Sequence, residues 1–302
     1  MTQLNLFPNF GVPEQERLYV IGNGFDIHHA IESKYWDLKK WVQKTYKDSS
    51  LIGLMDTFFS NDREFWGDIE NALGEYDEEA VTDFCEPDNP EDFKYDHPGQ
   101  WQDGVEGGIS WVFGQTMNQF RSVFEEWVRS IDISGIDTDL YIPQTATYLT
   151  FNYTETLEQG YGVPMLNVLH IHGSRLNPND GFVLGHSNHR DEEAPLLDER
   201  ILLPYQNAYS SVIGIMNEWE KSPKNLIEKN KSFFQSLNTC KGVCIIGLSY
   251  NGIDLPYLDE IATNVAPNCK WLLYYYSEED RKRAEAFAKD KGIVDCVIKK
   301  FD

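Results

Sequence analysis

From Thr147 onward, short apolar runs rich in β-branched residues alternate with stretches of helical spacing, and this alternation restricts the fold more than any other feature. The strand candidates are 147–152, 167–172, 182–185, 242–247, 270–277 and 294–301, with helix candidates at 225–237, 255–264 and 278–291. Strands separated by helices pair in parallel through crossovers, which place helices on the faces of the sheet. An earlier run, Arg17-Leu-Tyr-Val-Ile-Gly22, has the same character and ends in Gly-Asn-Gly, the layout of a buried parallel strand entering a tight turn and a helix. The expected class is therefore α/β, a doubly wound, mainly parallel, Rossmann-like sheet with a large helical insertion.

The insertion is read from length. Residues 30–145 are too many for one crossover and carry helical stripes: Leu38, Trp41, Val42 and Tyr46, then Phe65, Trp66, Ile69 and Leu73, then Phe113, Met117, Phe120, Phe124 and Val128. Such stripes read as core. The expected organisation is a nucleotide-binding core of 1–29 with 146–302, and an acidic helical insertion of 30–145 that caps it. Between 86 and 108 proline, aspartate and glycine predict a loop.

Charge narrows the partners. Lys plus Arg total 26 against 49 Asp plus Glu, a formal net of −23, and a field of that sign repels a phosphate backbone. Duplex nucleic acid is therefore an unfavourable partner. Between Asn61 and Glu106 stand 16 acidic residues and two basic ones, which read as a solvated face. Asp68 and Glu70 in that stretch read as exposed helix charges. Cys85, Cys240, Cys244, Cys269 and Cys296 are scattered, without a C-x-x-C pair, and read as reduced core residues. With no signal-peptide pattern and no apolar run near the roughly 18 residues of a spanning helix, the expected location is cytoplasmic, away from the membrane.

The residues able to carry chemistry fall at the carboxyl ends of the predicted strands. Gly22-Asn23-Gly24-Phe25-Asp26 lets backbone amides approach a diphosphate at a helix N-terminus, though a plain tight turn needs the same glycines. Asn152 has an amide able to orient a ribose or a water, or else to cap the helix predicted near Glu155. His170 and His172 alternate on one strand and face the same way, with Gly173-Ser174 following. A neutral imidazole titrating near about pH 6.5 suits a general base, the other histidine being structural. Metal ligation through His170, His172, His186 and His189 lacks H-E-x-x-H or cysteine support, and no metal is expected. Gly247 and Ser249 end a second strand and can hold another part of the same ligand. G-x-S-x-G and P-loop motifs are absent.

Taken together, Ile-Gly-Asn-Gly-Phe-Asp26, Trp66-x-x-x-Glu70, Phe-Asn-Tyr-Thr154, His-Ile-His-Gly173, Gly185-His186 and Ile-Gly-Leu-Ser249 resemble the AbiH family of phage abortive-infection proteins. That family is similar at motif level to sirtuin-like NAD-binding domains. The resemblance implies NAD as substrate: Gly22 and Gly24 at the phosphates, with Asn23 and Phe25 in the same cofactor-binding turn, Asp26 and Asn152 at the nicotinamide ribose, His172 as base beside the cofactor-binding Gly173, and Gly247 with Ser249 at the adenosine. The C-x-x-C zinc module of protein-deacylating sirtuins is missing, so hydrolysis of the nicotinamide N-glycosidic bond is the simpler chemistry. A non-catalytic nucleotide sensor or protein-binding module, and a metal-dependent nuclease, are the alternatives. A homo-oligomer and a phage-derived trigger stand open as further partners.

Overall fold

The computed structural model describes residues 4–5, 11–47, 49–59, 65–76, 98–177, 181–187 and 203–301. The chain divides into two compact units, one of Met1–Lys34, Val128–Val183 and Ser222–Asp302, the other of Tyr35–Trp127 and Leu184–Lys221.

The first unit holds the strands β1 (Leu4–Asn5), β2 (Arg17–Ile21), β3 (Leu140–Tyr141), β4 (Thr147–Thr150), β5 (Val168–His170), β6 (Gly242–Ile246), β7 (Lys270–Tyr275) and β8 (Cys296–Lys300). β1 pairs with β3, and the other six form one parallel sheet in the order β5-β4-β2-β6-β7-β8. Counted along the chain, the six run 3-2-1-4-5-6, so the winding reverses between β2 and β6. At such a reversal the flanking connections leave on opposite faces and open a crevice beyond the strand ends.

The two central strands are apolar because both faces are covered. Leu18, Val20, Val243 and Ile245 enter one core with Phe234, Tyr257, Ile261 and Phe287, side chains of the helices Lys231–Ser236, Leu255–Asn264 and Glu278–Asp290. Their alternating neighbours Tyr19, Ile21, Cys244 and Ile246 enter the opposite core with Phe25, Tyr148 and Leu157. Each full burial of such an aliphatic side chain contributes about 1.5–3 kcal/mol. The Glu278–Asp290 helix starts with a reciprocal cap: Ser277 Oγ accepts from the Asp280 amide at 3.0 Å, and Asp280 Oδ2 accepts from the Ser277 amide at 3.0 Å.

In the second unit the aromatic stripes pack as core. Phe58 meets Phe113 at 5.3 Å between ring centroids, Phe65 meets Trp66 at 4.9 Å, and Phe120 stacks on Trp219 at 6.0 Å. Asp56 accepts from the Trp66 indole at 2.7 Å and from Lys39 at 3.3 Å. The expectation of exposed charges at Asp68 and Glu70 needs revising. Glu70 accepts from Lys221 Nζ at 3.0 and 3.1 Å, and the Lys221 side chain is fully buried. Asp68 caps the short Ile69–Ala72 helix by accepting from the Asn71 amide.

Several expected elements differ. Residues 184–221 group with 35–127, so the second unit is not one continuous insertion; nonlocal packing such as Phe120 on Trp219 leaves no periodic signal linking the two segments. The loop expected over 86–108 lies outside the described residues up to 97, and from Pro98 a helix runs to Ser130. Proline at a first helical position lacks only an amide that has no partner within the helix. Residues 182–185 form no strand: Val183 donates to the His172 carbonyl at 2.8 Å, one bond rather than a ladder. The helix expected over 225–237 breaks at Asn230 into Pro223–Lys229 and Lys231–Ser236.

Candidate functional site

β2 and β6 run side by side and end in glycine turns that interlock. The Gly22 amide donates to the Ile246 carbonyl at 2.8 Å, and the Gly24 amide to the Gly247 carbonyl at 2.9 Å. A side-chain carbon on Gly22 would lie 2.5 Å from the Gly247 oxygen, and one on Gly24 would lie 2.6 Å from the Gly247 α-carbon. Gly247 itself has φ +72°, and a side-chain carbon there would stand 2.4 Å from the Phe25 nitrogen. Mutual backbone approach therefore accounts for all three glycines. The amides of Gly24 and Phe25 are engaged within the chain, the latter with the Gly22 carbonyl at 3.0 Å. Asn23 is exposed and bonds through its side chain to Ser33, while Phe25 is wholly buried in the core. The amides of Gly22, Gly24 and Phe25 are thus all engaged within the chain, as is the Asn23 side chain.

One turn further along the helix Asn23–His28, Asp26 is buried at 1% exposure. Its carboxylate accepts from the hydroxyls of Thr154 at 2.5 Å and Thr156 at 2.9 Å, which follow β4. The Asn152 side chain lies beside it and, like the two hydroxyls, favours the ionised form. The Asn152 amide brings its own acceptor, Oδ1. That Oδ1 is buried and has no hydrogen-bond partner among the described residues. Burial raises the Asp26 carboxyl above its ordinary range, and the hydrogen bonds from Thr154, Thr156 and Asn152 oppose the rise. Asn152 does not cap a helix: the following π-helical turn, Thr156–Gly160, starts at Glu155 without a side-chain cap.

The two histidines of β5 and its exit separate in role. His170 Nδ1 bonds the Asn152 carbonyl at 2.9 Å and Nε2 bonds Glu158 Oε1 at 2.8 Å, so both ring nitrogens tie β5 to the segment after β4. His172 is 3% exposed and sits edge-on to Phe151 and Tyr257, with centroids at 5.2 and 5.9 Å. Gly173 has φ +94°, and a side-chain carbon there would lie 2.8 Å from the Gly181 carbonyl oxygen. His186 belongs to the second unit, where its Nε2 bonds the Met216 carbonyl at 2.8 Å. His189 lies outside the described residues.

Ser249 is half-buried, and its carbonyl accepts from Arg283 at 3.4 Å. Next to it Tyr250 has φ +54°, unusual for an aromatic residue, and is held by a bond from its buried hydroxyl to the Tyr274 carbonyl at 2.9 Å. The strand ends thus bring Gly22, Gly24 and Gly247 together, set Asn152 beside Asp26, and place His172 against Phe151. The cavity of about 660 Å³ in this unit is lined elsewhere, by Arg129, Asp132, Ser134, Glu155, Gln159 and Arg175 among others, and by none of the predicted residues. Sequence reasoning missed Thr154 and Thr156 as ligands of Asp26, and Glu158 as the partner of His170. It also missed the Arg175 clamp on Glu155, at 2.6 and 2.7 Å. A T-x-T spacing directly after Asn152-Tyr153 was the available signal for the first pair.

Against this geometry, residues 18–275 match the family model described as bacteriophage abortive infection AbiH. The chain belongs to the AbiH family. The matched span runs from β2 to the end of β7 and so includes every candidate residue above. AbiH membership implies a role in phage abortive infection. No curated protein and no solved structure matches the chain. Among the described residues no helix is long and apolar enough to cross a membrane.

Proposed function

We propose that this AbiH chain binds NAD beyond the carboxyl ends of β2, β4 and β6 and hydrolyses its nicotinamide N-glycosidic bond, so that infected cells lose the cofactor. The observation that carries this reading is the side-chain oxygen Oδ1 of Asn152, a buried acceptor with no hydrogen-bond partner among the described residues, beside the buried Asp26 carboxyl. Buried acceptors are otherwise nearly always bonded, so a donor from outside the chain, such as a ribose hydroxyl or a positioned water, completes it. The 3-2-1-4-5-6 strand order supports a Rossmann-like, sirtuin-like reading of the sheet, with its crevice at the β2/β6 reversal.

Nicotinamide in NAD leaves as a neutral molecule from a cationic ring, so the reaction needs orientation and charge placement more than a strong acid. Asn152 would orient the ribose or the attacking water, Asp26 would place negative charge near the developing oxocarbenium ion, and His172 would take the proton of the water. With the Gly22, Gly24 and Phe25 amides engaged within the chain, the Gly22–Gly24 and Gly247 turns would bound the crevice beside the diphosphate rather than donate to it. A second reading, binding without turnover, is favoured by the position of His172 among aromatic rings at 3% exposure, since a base must reach its proton.

Nicotinamide release from NAD by the purified chain, compared with Asn152→Ala and His172→Ala, separates the two. The catalytic reading expects release that falls about 100-fold in each variant, the size typical of losing one group that stabilises a transition state. Saturable NAD binding without product, in a chain that also leaves NAD intact in infected cells, would establish the sensor reading instead.

A further inference from the structure

The helix that carries Asp26 ends in two consecutive histidines, and neither belongs to the carboxylate network described above. His28 Nε2 lies 3.2 and 3.3 Å from the two carboxylate oxygens of Asp139, in the segment that leads into β3. The His28 and His29 rings meet edge to face at 5.1 Å between centroids. His29 Nδ1 stands 2.6 Å from the Phe25 carbonyl, which can only accept, so the ring proton is on Nδ1 and the lone pair is on Nε2. A backbone carbonyl holding one imidazole nitrogen is the arrangement that presents the other to a metal. One ligand atom each from His28, His29 and Asp139 fall within 4.8 Å of one another.

We propose that His28, His29 and Asp139 form a binding site for a divalent transition-metal ion, zinc being the best match to two imidazoles and one carboxylate. Zinc bonds of about 2.0–2.2 Å in a tetrahedron separate neighbouring ligand atoms by about 3.3 Å. His28 and Asp139 already stand at that separation, and a ligand atom of His29 lies within 4.8 Å of both. The Tyr161 hydroxyl donates to His29 Nε2 at 2.5 Å, and an ion taking that lone pair would displace this bond. Asp137 adds a second negative charge to the surroundings of His29. The Asp139 side chain is 46% exposed and gives an ion an entry path.

The ion would clamp the end of the Asp26 helix to the 131–139 segment. This site lies apart from His170, His172 and His186 and revises the expectation of a metal-free chain. It does not depend on the NAD reading, and its test reads no turnover.

The test uses the untagged full-length chain, stripped with a chelator and titrated with Co²⁺ and then Zn²⁺. The expected result is one equivalent of Co²⁺ with visible d–d absorption and no sulfur-to-cobalt charge-transfer band, displaced by one equivalent of Zn²⁺ with a rise in the thermal midpoint. Asp139→Asn, His28→Gln and His29→Gln each weaken Zn²⁺ binding by at least about 10-fold. Far-UV circular dichroism confirms the fold, and the exposed Asp139→Asn exchange keeps the comparison informative should a histidine variant misfold. Absence of stoichiometric binding, a thiolate charge-transfer band assigning the metal to cysteines, or Asp139→Asn binding as tightly as the parent would each overturn the proposal.

Discussion

Gly247→Ala tests whether the glycine turns interlock as a packing device. A side-chain carbon at Gly247 would stand 2.4 Å from the Phe25 nitrogen, 2.8 Å from the Gly22 oxygen and 2.8 Å from the Gly24 carbonyl carbon, all backbone atoms that cannot rotate away. Its φ of +72° adds the left-handed penalty, about 1 kcal/mol for a residue with a side chain. Forced displacement of well-packed atoms costs about 1–3 kcal/mol more. The sum is about 3 kcal/mol, a fall in thermal midpoint of roughly 6–12 °C at the 2–4 °C per kcal/mol typical of domains this size. Two internal controls separate the contributions. Gly292 shares the left-handed backbone at φ +62° but has nothing within 4 Å, so Gly292→Ala should cost about 1 kcal/mol. Gly252 has neither feature, and Gly252→Ala should stay within about 0.5 kcal/mol. Urea denaturation of the three variants beside the parent, followed by circular dichroism, gives the series directly. Gly247→Ala indistinguishable from Gly292→Ala would refute the interlock. A Gly247→Ala chain of parental stability that had lost only nucleotide affinity would assign the glycine to ligand approach instead.

Asp26 predicts a pH dependence of defined sign. Burial raises its carboxyl, so the native state holds that proton more tightly than the unfolded chain does. The stability tied to this group is greatest below the unfolded carboxyl value of about 3.9 and declines as pH rises through the native value. The denaturation midpoint of Asp26→Asn minus that of the parent should therefore grow from pH 4 to pH 7, and a gap that shrinks with rising pH would contradict the assignment. In the second unit, Glu70→Gln should destabilise by about 3 kcal/mol, because it leaves the Lys221 ammonium buried without its counter-charge. Glu70→Gln combined with Lys221→Met should recover much of that loss in chemical denaturation; no recovery would mean that the pair is not the source. The Asn152→Ala loss of nicotinamide release and the Asp139→Asn loss of zinc binding complete the set.

The site was partly legible. His170 and His172 are expected on one strand, facing the same way, but β5 ends at His170 and His172 lies in the turn beyond it, where strand alternation no longer sets its direction. The division between them was less accessible: that both nitrogens of His170 are engaged depends on Glu158 folding back from the turn after β4. Asp26 was picked out by its place after Gly-Asn-Gly, yet its partners Thr154 and Thr156 lie 128 and 130 positions away along the chain. Asn152 reads equally as cap or ligand, and only the structure, in which the next turn starts at Glu155 without a side-chain cap, removes the cap reading.

Runs such as Val243 to Ile246 and the helical spacing of 255–264 determined on their own that this chain forms a parallel sheet flanked by helices, since periodicity and full burial are written into consecutive residues. The strand order, the close approach of Gly22, Gly24 and Gly247, the grouping of 184–221 with 35–127 and the meeting of His28 with Asp139 were decided only by tertiary structure. Each depends on segments far apart in the chain, and a single sequence does not encode such contacts as a local pattern.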